Sequence, residues 1–98
     1  MRVLSKSALR ACWDQHPEWK TVLSTWYMEV KAHEWSKPSD VTQAYPKASA
    51  INDNRVVFRI TNEIRLVAWI NYRHARVYIK WVGHHKEYER IDVATIGR

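Results

Sequence analysis

The chain predicts an α+β fold, with N-terminal helices packed on one face of an antiparallel sheet and a short C-terminal helix. Three observations lead there. Apolar residues recur at helical spacing through the first half, they alternate with a period of two through the second, and proline falls where those patterns break. With 98 residues, 46% hydrophobic and 27% charged, there is material for one small core and no linker, so a single domain spanning 1–98 is expected.

Each element follows in order. Arg2-Val3-Leu4 reads as a short strand, and Ser5 offers an N-cap to a first helix whose Ala8, Leu9, Cys12 and Trp13 share a face. Pro17 ends that helix and suits the first position of the next. There Trp19, Val22, Leu23, Trp26 and Val30 form an apolar stripe that runs to about His33. Ser36-Lys37-Pro38 breaks the stripe. Ser39 can cap a third helix bearing Val41, Ala44 and Tyr45, which Pro46 ends because a residue before proline resists the α conformation. Then the period changes. Arg55 to Thr61 places Val56, Phe58 and Ile60 on one side; Glu63 to Tyr72 places Ile64, Leu66, Ala68 and Ile70 there; Ala75 to Gly83 adds Val77, Ile79 and Trp81. Short polar connections at Asn62 and Arg73-His74 make these runs an antiparallel meander.

The opposite side of the runs carries Arg55, Arg59 and Thr61, then Arg65, then Arg76 and Lys80, interleaved with Val57, Val67, Trp69, Tyr78 and Val82. Cross-strand neighbours lie ~5 Å apart, so these cations gather. Unpaired charge is costly to bury, and Glu63 is the one carboxylate on these strands. A cationic face set with aromatics suits phosphates and bases; a solvated face guarded against edge aggregation is the plainer alternative. Sixteen Lys and Arg against ten Asp and Glu, a net charge of +6, also favour a polyanion, nucleic acid first.

After the third run, Gly83-His84-His85-Lys86-Glu87-Tyr88-Glu89 turns into a short helix on which His85 and Tyr88, three apart, share a face. Histidine exchanges protons near neutrality. RNA cleavage without a metal needs a base for the 2′-OH, an acid for the leaving 5′-oxygen and cations for the crowded phosphate, and His85, Tyr88, Arg65 and Lys80 can supply them. A metal site fits worse: adjacent His84 and His85 point to different sides, and no second pair or Cys cluster stands at ligand spacing. Neither metal nor cofactor is expected. The one cysteine, Cys12, excludes an internal disulfide framework, fits a reducing compartment and reads as a core residue. No glycine-rich phosphate loop is present. No apolar run approaches the ~18 residues of a membrane span and no signal-peptide pattern opens the chain, so a cytoplasmic protein without membrane partners is expected.

Taken together, the residues resemble HigB-type toxins of bacterial type II toxin–antitoxin modules, in the wider RelE-like ribonuclease superfamily. The likeness runs through Trp26-Tyr27, Glu29-Val30, Trp35, Pro38, Asp40-Val41, Tyr45-Pro46 and Ala48-Ser49 in the first half. In the second it runs through Asn54 to Phe58, Arg65-Leu66-Val67, Ile70-Asn71-Tyr72 and Val77 to Trp81, and is strongest at Gly83, His85, Glu87-Tyr88 and Ile91-Asp92. The resemblance implies an mRNA interferase, a metal-independent endoribonuclease acting on mRNA at the ribosome, inhibiting translation and held inactive by a HigA-type antitoxin with a helix-turn-helix. It implies functional roles for His85, Tyr88, Arg65 and Lys80, while the charge pattern itself offers Arg55, Arg59, Arg76, Lys86, His84 and Arg73 as RNA-binding candidates. Three departures stand out: His84 where many members have Thr, Arg59 where Asn is usual, and a short turn without glycine at Asn62-Glu63. Two other classes are open to the same residues, a non-catalytic RNA- or ribosome-binding module and a DNA-binding antitoxin. The second is weak, because the helices direct their apolar stripes to the core and keep no recognition face.

Overall fold

A computed structural model describes residues 1–97. In chain order the elements are β1 (Arg2–Leu4), α1 (Lys6–Gln15), a 3-10 turn (Pro17–Trp19), α2 (Lys20–Ala32), α3 (Pro38–Ala44), β2 (Ser49–Ala50), β3 (Arg55–Arg59), β4 (Ile64–Asn71), β5 (Arg76–His84) and α4 (His85–Tyr88). The five strands form one sheet in the order β1-β5-β4-β3-β2, antiparallel except for β1, which lies parallel to β5. The expected α+β architecture and the meander of three long strands are both present. β2, a two-residue edge strand beside β3, had no alternating pattern to announce it.

The helices cover one face of the sheet. Leu9 of α1, Leu23 and Val30 of α2 and Val41 of α3, none of them exposed, meet Val56, Phe58, Leu66, Ala68, Ile70 and Val77 of the strands. Phe58 sits at the centre of an aromatic cluster, 5.2 Å from Trp26, 5.4 Å from Tyr45 and 6.2 Å from Trp35 between ring centroids. Burial raises the Tyr45 hydroxyl above its ordinary pKa, and the hydrogen bond it donates to Glu29 (2.8 Å) adds to the shift. Cys12 also titrates higher than a free thiol, first through burial and then through Glu87, which leaves it a packed thiol rather than an activated one.

Two helix starts differ from expectation. Ser5 adopts a left-handed conformation (φ 68°) as the chain turns out of β1, and its side chain makes no cap hydrogen bond. The third helix begins at Pro38, one residue before Ser39. The carboxylate of Asp40 accepts the backbone N–H groups of Ser36 (2.8 Å) and Lys37 (3.2 Å), so the carboxylate inside the first turn does the capping.

A larger correction concerns β5. Ala68 pairs with Ile79 but Val67 pairs with Trp81, so Lys80 is an extra residue, a β-bulge. Beyond it the alternation reverses, because one inserted residue moves every later side chain to the other face. Trp81, expected inward, pairs with outward-facing Val67, while Val82, expected outward, pairs with Leu66 and packs on the core.

Candidate nucleic-acid interface

Away from the helices, the register sets three cross-strand rows: Arg55–Trp69–Tyr78, Val57–Val67–Trp81 and Arg59–Arg65–Gly83. The continuous cationic face expected from the sequence is interrupted in the middle. Residues after α4 fold back in turns, held by bonds from the Ala94 N–H to the Asp92 side chain (3.0 Å) and from the Ile96 N–H to the Asp92 carbonyl (2.8 Å). Arg55 is 4% exposed, and its Nη1 donates to the carbonyls of Val93 (3.0 Å) and Ile96 (2.7 Å). This expected RNA-binding cation is therefore a clamp for the C-terminal segment, its charge dispersed over carbonyl oxygens where exclusion of water strengthens the bonds. Val57 and Val67 are buried on the same face, outside the helix-side core.

One end of the face keeps its cations accessible. Arg59 and Arg65 stand directly opposite each other, an arrangement of like charges that destabilises a sheet unless something screens it. The β3–β4 turn does so: Arg59 donates to the Asn62 side chain (2.8 Å), and Arg65 donates to the carbonyls of Thr61 (2.8 Å) and Asn62 (3.3 Å). Both keep further N–H groups on guanidinium forks made for phosphate geometry. Gly83 lies across from Arg65, where a Cβ would stand 2.8 Å from the Trp81 ring, so glycine lets the indole lie against the strand. α4 rises at once from this end, anchored by the His85 N–H on the Glu63 carbonyl (2.7 Å). His85 and Tyr88 are half-buried, with the Tyr88 ring 6.3 Å from Trp81, and Lys86 is exposed beside them.

The remaining candidates lie at different distances from this group. His84 pairs with the buried Ile64 on the helix side, stacks on Trp19 (6.3 Å) and accepts the Lys86 N–H on Nδ1 (3.1 Å). It is the N-cap of α4, and its ring lies 4.5 Å from that of His85, so it stays beside the candidate catalytic histidine. Arg76 and Arg73 are exposed at the opposite end of β4 and β5, about 20 Å from Arg65 at ~3.3 Å per residue. Lys80 lies between the two ends, its ammonium 5.7 Å from the Tyr78 ring centre. Among the described residues, the one side-chain salt bridge joins His16 and Glu18 (3.5 Å), so none of the sheet's cations is neutralised by a carboxylate. Among the same residues, no three His, Cys, Asp or Glu side chains gather as a metal site would need, and no helix is long and apolar enough to cross a membrane.

Sequence reasoning missed the C-terminal wall and Trp81. A signal for the first was present in Asp92 two residues before Ala94, a spacing suited to an Asx-turn. The second had none, since a bulge leaves no mark in an alternating pattern.

Known proteins resemble the chain over most of its length. Residues 19–91 match the HigB toxin family, described as the RelE-like toxic component of a toxin–antitoxin system. The chain is similar to the mRNA interferase HigB of Escherichia coli O6:H1 (strain CFT073), 23% identical over 94 residues, covering 93% of this chain and 91% of that one. It is 27% identical over 92 residues to the mRNA interferase toxin HigB of Escherichia coli K12 and to the mRNA interferase HigB of Shigella flexneri, covering 91% of this chain and 88% of each relative.

Proposed function

The chain belongs to the HigB toxin family of RelE-like toxic components of toxin–antitoxin systems, and from that premise we propose that it is an endoribonuclease that cuts mRNA on the ribosome, without a metal, in the cytoplasm. The observation that supports this reading is that Arg59 and Arg65 stand opposite each other at the end of the sheet where α4, which carries His85 and Tyr88, begins, and that the sheet's cations have no carboxylate partners among the described residues.

In the proposed reaction the 2′-oxygen attacks the adjacent phosphorus and the 5′-oxygen leaves, giving a cyclic phosphate and a free 5′-hydroxyl. His85 moves a proton at one of those two oxygens, as general base or general acid. Arg65 and Lys80 hold the non-bridging oxygens as negative charge builds in the transition state. Tyr88 stacks on a base or orients the scissile nucleotide, while Arg59 and Lys86 hold the backbone nearby and Arg73 and Arg76 meet it farther along the sheet. The ribosome supplies the alignment of the message, so a complete acid–base pair on the protein is not required. The partner that silences the toxin is a HigA-type antitoxin with a helix-turn-helix, acidic where it meets the cationic face.

Addition of the protein to a translating extract, with the mRNA ends mapped, tests the reading. Discrete cuts that require translating ribosomes are expected, and purified toxin–ribosome–mRNA complexes should still be cut after the protein is stripped with chelator. Salt-sensitive binding without any scission would leave a binding module and refute the enzyme.

A further inference from the structure

A second feature of the outward face lies beyond Lys80. Trp69 and Tyr78, cross-strand partners with ring centroids 5.6 Å apart at 63°, are half-exposed and belong to no part of the helix-side core. They floor a groove of about 570 Å³. The 52–54 loop forms one wall and is fixed from within: the Asn52 side-chain oxygen accepts the N–H groups of Asn54 (3.0 Å) and Arg55 (2.8 Å), and the Asn54 amide donates to the Ile70 carbonyl (2.9 Å). Ala94, on the segment that Arg55 clamps, forms another wall. Lys80 closes the side nearest Arg65.

We infer that this groove is a subsite for a single unpaired nucleobase of the RNA, one that flanks the cut site, with Trp69 as its stacking platform. The inference rests on the reading of the chain as an RNA-cutting toxin and adds where a neighbouring nucleotide goes. Four features carry it. A large ring pair kept off the core offers a π-face, which every base can use. The floor and walls are braced by hydrogen bonds before any ligand arrives, so little ordering entropy opposes binding. Lys80 stands beside the aromatic floor, where a phosphate would follow its base, while Asp53 at the rim repels phosphate and restricts the backbone to the Lys80 side. Finally, Trp69 lies four residues along β4 from Arg65, about 13 Å, which suits a flanking nucleotide rather than the one being cut.

A trinucleotide with 2′-O-methyl groups, which lacks the attacking hydroxyl, is a suitable probe. Titrated into the intact protein, it should shift the Trp69 indole N–H resonance. Trp69→Ala should weaken its binding by about 5- to 150-fold, the range for loss of one stacked base, while Trp69→Phe retains most of the affinity. In mRNA cleavage, Trp69→Ala should raise KM or shift the preferred cut sites more than it lowers kcat. An unmoved Trp69 resonance at saturation, with shifts confined to Arg59, Arg65 and α4, overturns the subsite. If wild-type protein cuts mRNA but Trp69→Ala binds the probe as tightly, the subsite falls and the enzymatic reading stands. If the probe binds through Trp69 and no mRNA is ever cut, the subsite stands and the enzymatic reading falls.

Discussion

On its helix side the sheet presents Val56, Phe58, Leu66, Ala68 and Ile70, none more than 1% exposed, whereas its other side presents Arg59, Arg65, Trp69, Tyr78 and Lys80 at intermediate or greater exposure. The same three strands build both, so the contrast comes from the two-residue period, which the bulge at Lys80 reverses only over the last residues of β5. The first face gains its stability by removing apolar area from water; the second keeps polar groups wet, anchored by a turn at one end and a folded-back segment in the middle. Arg55 breaks the pattern in an instructive way, because a buried guanidinium is tolerable once carbonyl oxygens satisfy it. A face can therefore be functional at its ends and structural at its centre.

That contrast can be broken by mutation. His85→Ala should reduce mRNA cutting by about 10²- to 10⁴-fold, the range for loss of a general acid or base, with thermal stability unchanged. A parallel fall in melting temperature would make His85 a structural residue. Phe58→Ala, on the other face, should cost about 3–5 kcal/mol of stability, measured by urea unfolding, because Trp26, Trp35 and Tyr45 cannot all close on the void. Arg55→Met joins the two faces. It should cost about 2 kcal/mol by stranding the Val93 and Ile96 carbonyls, raise amide exchange in the C-terminal segment, and weaken RNA binding through that movement rather than through lost charge. Full affinity at Arg55→Met, with the segment unchanged, would show that the clamp does not shape the site.

Smaller effects sharpen the comparison. Arg76→Ala, at the far end of the sheet, should lower RNA affinity by only about threefold, with a salt-dependence slope reduced by ~0.7, as expected for one phosphate contact to a single strand. Alkaline titration should act on the helix side. Burial raises Cys12, Tyr45 and Tyr72 above their ordinary pKa values, with Glu87, Glu29 and Asp40 respectively adding to the rise. Between the unfolded and folded pKa values the folded protein holds more protons than the unfolded chain, so stability falls as pH rises. The contribution is complete below the ordinary thiol and phenol values, ~8.5 and ~10, and declines above them. Melting temperatures measured from pH 8 upward should decrease along that course, and a rise would show these groups to be better accommodated as anions.

Most of the helix side was legible in the sequence, because periodic apolar residues such as Leu23, Trp26 and Val30, or Leu66, Ala68 and Ile70, report directly which way a regular element faces. A shared face for the strand cations, and the start of the helix of His85 and Tyr88 where the sheet ends, followed from the meander. The pairing of Arg59 with Arg65 did not, because the short turn without glycine at Asn62-Glu63 left the geometry of the first hairpin open. What escaped were departures from regularity. The bulge at Lys80 reversed Trp81 and Val82, and a non-local bond from Arg55 to residues 93 and 96 turned an expected RNA contact into a clamp. The capping role of His84 escaped for a local reason, since a side chain accepting its own helix's N–H looks in sequence like any exposed histidine.

The most direct test of the outward face as the RNA-binding one is a matched pair of double variants whose binding to uncleavable single-stranded RNA is followed against salt. Arg59→Gln with Arg65→Gln should reduce the slope of log K against log salt by about 1.4, two phosphate contacts' worth. Arg10→Gln with Lys20→Gln, removing two exposed cations from the helix side, should leave the slope as in the wild type. An equal or larger reduction from the helix-side pair would contradict the account.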